Sequence, residues 1–160
     1  MEATIMALYK IVSKSADKCL NIYGDNVTKL AENQNVTLWS DSGTNEQKWV
    51  ISMPFNNTNI KSVINDGWGL NVYRGSSLWN CDVYPISGNE KDSAVNLVAS
   101  GSNYKFQLTN YPDYYLTAGG TEDGANVYWA KDTNADNQLW SIQVASTETV
   151  EGTPSGLKSL

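Results

Sequence analysis

The sequence of 160 residues contains no histidine and only two cysteines, Cys19 and Cys81. Without histidine, the Ser–His and Cys–His dyads of nucleophilic catalysis are excluded, together with the commonest metal ligand. Two isolated cysteines cannot form a structural zinc site, and they allow one disulfide at most. We expect them to be two small buried or half-buried thiols. These absences remove several enzyme classes before any motif is considered.

Long apolar runs and clusters of positive charge are also missing. No segment approaches the run of about 18 apolar residues that a membrane helix needs, so we expect no membrane insertion. Seventeen acidic residues oppose eleven basic ones, giving a formal charge of −6. With no basic run, this balance argues against nucleic acid as a partner. The N-terminal MEATIMAL is too short for a signal-peptide core.

Short strand patterns fill most of the chain, whereas sustained helical patterns are absent. Turn formers such as Asn65-Asp66-Gly67 and Gly119-Gly120 separate brief segments rich in β-branched and aromatic residues. These segments are LYKIV, CLNIY, VTLW, WVISM, SVI, LNVY, FQL, YYLTA, NVYW and WSIQV. Many short strands at such spacing predict an all-β barrel or sandwich.

An internal repeat organises these strands. The segment NVTLWSDSGTNEQKW, residues 35–49, is echoed by NVYWAKDTNADNQLW, residues 126–140, and both end in Gln-x-Trp. A weaker middle copy begins near residues 60–63, and each copy has a Leu-centred strand, at Leu20, Leu70 and Leu116. The period is about 44 to 51 residues. Three such units predict a barrel closed with pseudo-threefold symmetry, because closure removes most free strand edges.

The two motifs, Gln47-Lys48-Trp49 and Gln138-Leu139-Trp140, resemble the repeat of ricin B-chain-type (R-type) lectins. The resemblance covers residues 8–145 and implies a β-trefoil of an α unit (8–55), a β unit (59–100) and a γ unit (103–145). Residues 1–7 are then an N-terminal extension, and residues 146–160 a flexible tail or linker. The β unit departs from the pattern, with SAVNLV at residues 93–98 in place of the motif. The motif Trp and Gln side chains are expected mainly to support the fold.

The resemblance also implies sugar sites. In lectins of this family an aromatic ring stacks on the apolar face of a sugar, while a nearby carboxylate or amide binds its hydroxyls. Carried over, the leading site lies in the α unit and comprises Asn21, Tyr23, Trp39, Asn45, Glu46 and Gln47. The β unit offers Asn71 and Tyr84, and the γ unit offers Thr117, Trp129, Asn137 and Gln138. The family usually has Asp where this chain has Asn21, which weakens the expected binding.

The sequence allows two roles for each of three tryptophans. Trp39 is either a sugar platform or a core side chain. Strict register aligns Ala130 with Trp39 and turns Trp129 inward, whereas a shift of one residue would make Trp129 the platform. Trp79 follows a turn-rich stretch and is either an exposed aromatic or a loop anchor.

The function implied by the resemblance is that of a non-catalytic, cofactor-free, carbohydrate-binding module. Its partner would be a glycan or polysaccharide, with a galactose-type sugar as the family default. Such modules often accompany glycoside hydrolases, cell-wall lytic enzymes or toxins, so we expect an extracellular location within a larger secreted protein. A covalently linked catalytic or toxin domain would then be brought to glycans.

Two other functions compete with this interpretation. None of the three homologous strand positions carries Asp, which favours a trefoil with degenerate sugar sites that serves as a protein-interaction or structural domain. A hydrolase would need two carboxylates in one cleft. A calcium site formed by Asp132, Asn134 and Asp136 lacks the Gly and distal Glu of such loops, so we interpret this segment as a polar hairpin.

Overall fold

The computed structural model describes residues 3–151, in which strands dominate. The strands are β1 (Ala3–Ser13), β2 (Cys19–Ile22), β3 (Gln34–Trp39), β4 (Trp49–Ile51), β5 (Ile60–Ser62), β6 (Trp68–Tyr73), β7 (Trp79–Pro85), β8 (Val95–Ser100), β9 (Asn103–Leu108), β10 (Tyr114–Ala118), β11 (Val127–Lys131) and β12 (Trp140–Glu151). A short helix α1 (Glu90–Ser93) and 3-10 turns at Asn45–Gln47 and Asp136–Gln138 complete the elements. The predicted all-β class is confirmed. Within this range no helix has the length and apolar character needed to cross a membrane.

All twelve strands belong to one antiparallel sheet that closes on itself. The strand order is β11-β10-β9-β12-β1-β2-β3-β7-β6-β5-β4, with β8 beside β9. Additional pairings of β11 with β7 and of β1 with β4 close this path. Closure pairs backbone groups that an open sheet would leave at its edges. The core therefore lies inside the closed sheet.

Three hairpins have the same register, which shows the repeat in the hydrogen-bond pattern. They are β2–β3, β6–β7 and β10–β11. The inward pairs are Leu20–Leu38, Leu70–Val83 and Leu116–Trp129. The next pairs along are Asn21–Thr37, Asn71–Asp82 and Thr117–Tyr128. Because side chains alternate across a strand, each unit places one equivalent polar residue beside its inward leucine.

The motif tryptophans occupy equivalent places in the core, as the sequence predicts. Both Trp49 and Trp140 are 0% exposed. The indole N–H of Trp49 donates to the carbonyl of Leu20 at 3.1 Å, and that of Trp140 donates to the carbonyl of Leu116 at 3.0 Å. These bonds let the largest side chains fill the core without leaving a buried donor unpaired.

A ring of three asparagine amides joins the three units. Asn80 donates to Asn35 at 2.8 Å, Asn35 donates to Asn126 at 3.0 Å, and Asn126 donates back to Asn80 at 2.8 Å. Each half-buried amide thus donates once and accepts once within a closed cycle. One residue from each unit contributes, so the ring fixes the three hairpins against one another.

The chain ends differ from the sequence-based prediction. Strands β1 and β12 pair from Ser13 and Trp140 out to Ala3 and Glu151. Residues 146–151 are therefore strand, and the prediction of a flexible tail from residue 146 is wrong over this range. The backbone hydrogen bonds come from the opposite end of the chain, so local composition gave no sign of them. Residues 1–2 and 152–160, which also belong to the predicted extensions, lie outside the described residues.

Both cysteines are free and buried, which confirms the prediction of two buried or half-buried thiols. Burial raises the pKa of the Cys19 thiol to about 11 and raises that of Cys81 as well. Because the thiolate is the reactive form, neither cysteine is suited to act as a nucleophile.

We predict that Asn80→Ala lowers the free energy of unfolding by about 1–3 kcal/mol, since it removes two bonds of the amide ring and leaves partners unpaired. Urea unfolding followed by tryptophan fluorescence measures this change. Asn56→Ala, at an exposed position, is the matched control and should change stability by less than about 0.5 kcal/mol. Equal free energies of unfolding for the two variants would show that the asparagine ring does not stabilise the fold.

Candidate functional site

A cavity of about 390 Å³ lies in the α unit and brings together four residues of the predicted site. Its lining consists of Asn21, Tyr23, Gly24, Asp25, Asn26, Trp39, Ser42, Thr44 and Glu46. Tyr23 is 60% exposed and Trp39 is 41% exposed. Trp39 is therefore a surface ring at a cavity wall rather than a core side chain. The cavity combines two accessible aromatic rings with amide, hydroxyl and carboxylate groups.

A loop of the γ unit holds the strand end that carries Trp39. The Leu38 N–H donates to the Ala125 carbonyl at 2.9 Å, and the Gly124 N–H donates to the Leu38 carbonyl at 2.8 Å. Asp123 accepts hydrogen bonds from both the N–H and the hydroxyl of Ser40, each at 2.8 Å. Gly124 has φ +86°, a conformation that favours glycine, and it lies against the Trp39 ring. The aromatic wall of one unit is thus supported by another.

Glu46 forms the carboxylate wall of the cavity. It is 6% exposed, and it accepts a hydrogen bond from the Val27 N–H, which ties the loop after Tyr23 to the 3-10 turn. Burial acts to raise the pKa of this carboxyl. Hydrogen bonds from the Thr44 hydroxyl and from the N–H groups of Glu46 and Val27 outweigh that effect, so the pKa is lowered. Glu46 is therefore ionised at neutral pH, and it also positions the cavity wall.

Gln47 supports the cavity from behind. Its amide donates to the Ser40 carbonyl at 3.0 Å and to Asn21 Oδ1 at 3.4 Å, and its Oε1 accepts from the Ser42 N–H at 2.9 Å. Gln47 is only 2% exposed. The structure thus gives it a positioning role for Asn21, whereas the predicted Asn45 is exposed and does not line the cavity.

In the γ unit, Gln138 makes hydrogen bonds equivalent to those of Gln47, but the position of the Trp39 ring has no aromatic side chain. Gln138 donates to Thr117 Oγ1 and to the Lys131 carbonyl, both at 3.0 Å, and accepts from the Thr133 N–H at 2.8 Å. Asn137 is half-buried and accepts from the Thr133 hydroxyl at 3.0 Å. The position equivalent to Trp39 is Ala130, which pairs with Tyr115 as Trp39 pairs with Cys19.

Trp129 does not take the place of the missing platform. It is 2% exposed, lies opposite Leu116, and donates from its indole N–H to the Asn71 carbonyl at 3.3 Å. The strand keeps strict register, so the prediction of Trp129 as a sugar-stacking residue is wrong. Its ring belongs to the core.

A second cavity, of about 400 Å³, lies in the β unit. It is lined by Asn33, Asn71, Val72, Tyr73, Arg74, Gly75, Tyr84, Asn89 and Asp92. Asn71 and Tyr84 were predicted from the sequence, but Tyr73 and Asp92 were missed. Tyr73 follows Asn71 by two residues, as Tyr23 follows Asn21, and this spacing could have revealed it. The cavity therefore also combines two aromatic rings with an amide and a carboxylate.

The floor of the second cavity is a polar network. Asn71 donates to Asp82 at 2.7 Å, Asn33 donates to the other Asp82 oxygen at 2.8 Å, and Asn89 donates to Asn71 Oδ1 at 2.7 Å. Asp82 is 2% exposed, and burial raises its pKa although both amides act to lower it. At the rim, Arg74 pairs with Asp92 at 3.2 Å.

Trp79 and the acidic hairpin loop have structural partners. Trp79 is half-buried and stacks on Tyr114 with ring centroids 4.0 Å apart, as a loop anchor would. Asp132 accepts from the Asn134 N–H at 2.8 Å and pairs with Lys105 at 3.2 Å. No group of three or more metal-ligating side chains occurs in the part of the chain that the structure describes.

Comparison with known proteins places the fold among β-trefoils. A designed threefold-symmetric protein, ThreeFoil, matches with TM-score 0.71 and 26% identity over 84% of this chain and 96% of its own. A ricin B-like lectin from Macrolepiota procera, in complex with lactose, matches with TM-score 0.68 and 13% identity over 86% and 94%. The exo-β-1,3-galactanase 1,3Gal43A from Clostridium thermocellum matches with TM-score 0.74 and 22% identity over 86% of this chain and 30% of the enzyme.

The structural neighbours thus include ricin B-type lectins and a designed threefold trefoil, as the sequence resemblance predicts at the level of the fold. The chain corresponds to less than a third of the galactanase. No protein-family model and no curated protein sequence matches the chain.

We predict that Glu46→Gln removes a pH-dependent part of the stability. Because the folded-state pKa lies below the ordinary value of 4.5, the Glu46 contribution is present above that value and is lost as pH falls through the folded-state pKa. Urea unfolding from pH 7 to pH 3 should show the difference between wild type and variant shrinking below about pH 4.5. The control is Asp66→Asn, which removes the charge of an exposed acidic residue in a loop and so measures the effect of losing one negative charge elsewhere on the protein. A constant difference across this range would contradict the prediction.

Proposed function

We propose that the protein is a non-catalytic carbohydrate-binding module whose leading site is the α-unit cavity. The observation that carries the proposal is the exposure of Tyr23 and Trp39 at the wall of a cavity that also contains Asn21 and Glu46. A sugar ring offers C–H faces that stack on aromatic rings, and hydroxyls that need directional polar partners. The lactose complex of the similar Macrolepiota procera lectin supports this class of ligand.

The three units contribute unequally to this function. The α and β units, residues 8–55 and 59–100, each have a cavity with two aromatic rings, so we assign the β unit a second sugar site at Tyr73 and Tyr84. The γ unit, residues 103–145, has Ala130 at the stacking position and serves as scaffold. Two shallow sites on one module increase the strength of attachment to a polymeric glycan through avidity.

The acids of the α cavity fit binding better than hydrolysis. Asp25 and Glu46 share this cavity, so the paired-carboxylate alternative has a cleft to consider. A glycosidase needs one carboxyl with a raised pKa to protonate the leaving group. The pKa of Glu46 is lowered instead, which disfavours it as that acid.

The module would act by bringing an attached or partner protein to glycans, in an extracellular setting. The galactanase supports this role, since the matched region makes up 30% of that enzyme.

One observation favours the alternative of a protein-interaction or structural domain with degenerate sugar sites. Both polar atoms of Asn21 already have protein partners, Thr37 and Gln47, so this side chain has reduced capacity for a ligand.

We predict that wild-type protein gives a saturable hit on a glycan array, with a change in tryptophan fluorescence on titration. Trp39→Ala should weaken that binding at least about tenfold, equivalent to ~1.4 kcal/mol, because the stacking surface is lost. Calorimetric titration with the array hit measures the affinity and the number of sites.

Leu78→Ala is the matched control, since Leu78 is 45% exposed and lies outside both cavities. It should bind as wild type does. Tyr84→Ala separates the contribution of the β cavity. A blank array across mammalian, microbial and plant cell-wall glycans would reject the lectin function and favour the interaction-domain alternative.

A further inference from the structure

The α cavity has an unbalanced charge. Two of its nine lining residues, Asp25 and Glu46, are acidic, and no Lys or Arg side chain is among the lining residues that the structure describes. The β cavity differs, because it contains Arg74 paired with Asp92 at 3.2 Å. The two cavities therefore share their aromatic and amide groups but not their charge.

The surroundings of the two acids strengthen this asymmetry. Glu46 is nearly buried and hydrogen-bonded by the Val27 N–H, so its negative charge is fixed in the cavity wall and less screened than a surface charge. Asp25 lies on the exposed loop that Glu46 holds in place. The Coulomb field of both carboxylates attracts a cation and repels an anion.

The aromatic rings act in the same direction as the acids. The faces of Tyr and Trp carry negative quadrupole density, so they attract an ammonium group placed over the ring. Tyr23 and Trp39 are the two exposed rings of this cavity. A ligand that joins an apolar sugar face to a positive group would be complementary to both the aromatic rings and the carboxylates of this cavity.

We propose that the α cavity selects glycans with free amino groups, such as hexosamine residues, over neutral sugars and discriminates against uronic or other acidic sugars. The inference rests on the proposed sugar-binding function of the same cavity, for which it names the ligand class. Asp25 and Glu46 set the charge preference, and the aromatic pair supplies the stacking surface common to all three classes.

The test compares sugars that differ only in charge. The probes are the methyl glycosides of galactose, galactosamine and galacturonic acid, and the corresponding glucose series, at about pH 6, where the amine is protonated and the uronate ionised. Binding is followed by ligand-detected NMR and tryptophan fluorescence. In the series that binds, we expect the amino sugar to bind about three- to tenfold tighter than the neutral sugar and the uronate about tenfold weaker.

Asp25→Asn should reduce the ratio of amino-sugar to neutral-sugar affinity, whereas Asp66→Asn, outside the cavity, should leave that ratio unchanged. Raising the salt from 0.1 M to 1 M should also shrink the ratio in wild type, because the screening length falls from about 10 Å to about 3 Å. Equal affinities for the three charge forms would overturn the charge preference and leave the lectin function standing. Absence of binding in both series, with a blank glycan array, would overturn both.

Discussion

The hydrogen bonds of one amide, that of Gln47, fix the geometry of the α cavity. This side chain joins the Ser40 carbonyl after β3, the Ser42 N–H in the following loop and Asn21 on β2. Two residues later, Trp49 enters the core and donates to the carbonyl of Leu20, the neighbour of Asn21. Core and cavity are therefore built on the same short segment. A change in the position of the Gln47 amide would therefore shift the loop, the strand β2 and the buried Trp49 ring together.

The same pattern of amide hydrogen bonds occurs in a unit that has no aromatic platform, so support of the fold and recognition of a ligand are separate properties. Gln138 holds Thr117 in the γ unit as Gln47 holds Asn21, although Ala130 replaces the exposed ring. The asparagine ring likewise joins the hairpins through its own amide bonds, and its three residues line neither the α nor the β cavity. The Gln-x-Trp pattern is consequently evidence for the fold, and the exposed aromatic residues are the evidence for a site.

This separation explains what the sequence could and could not predict. The repeated motif predicted the buried Trp49 and Trp140, and the resemblance to ricin B-type lectins predicted one site with Asn21, Trp39 and Glu46, which line a single cavity. Neither could decide the orientation of Trp129, since a one-residue slip reverses the face of a strand. The paired strand at residues 146–151 was missed because its partner is the far end of the chain. Asp92 was missed because a helical turn replaces the motif that would have aligned it.

The β unit shows that the polar support can be rebuilt from different residues. Lacking a motif Gln, it uses Asn89, on the loop before α1, to donate to Asn71 at 2.7 Å. Each unit thus places an amide donor against the polar residue of its second strand, whether that residue is Asn or Thr. Because three different pairs of residues provide this hydrogen bond, we conclude that the fold itself requires it. The aromatic pair, by contrast, lines the cavities of two units, and it is there that the surface can hold the flat face of a ligand.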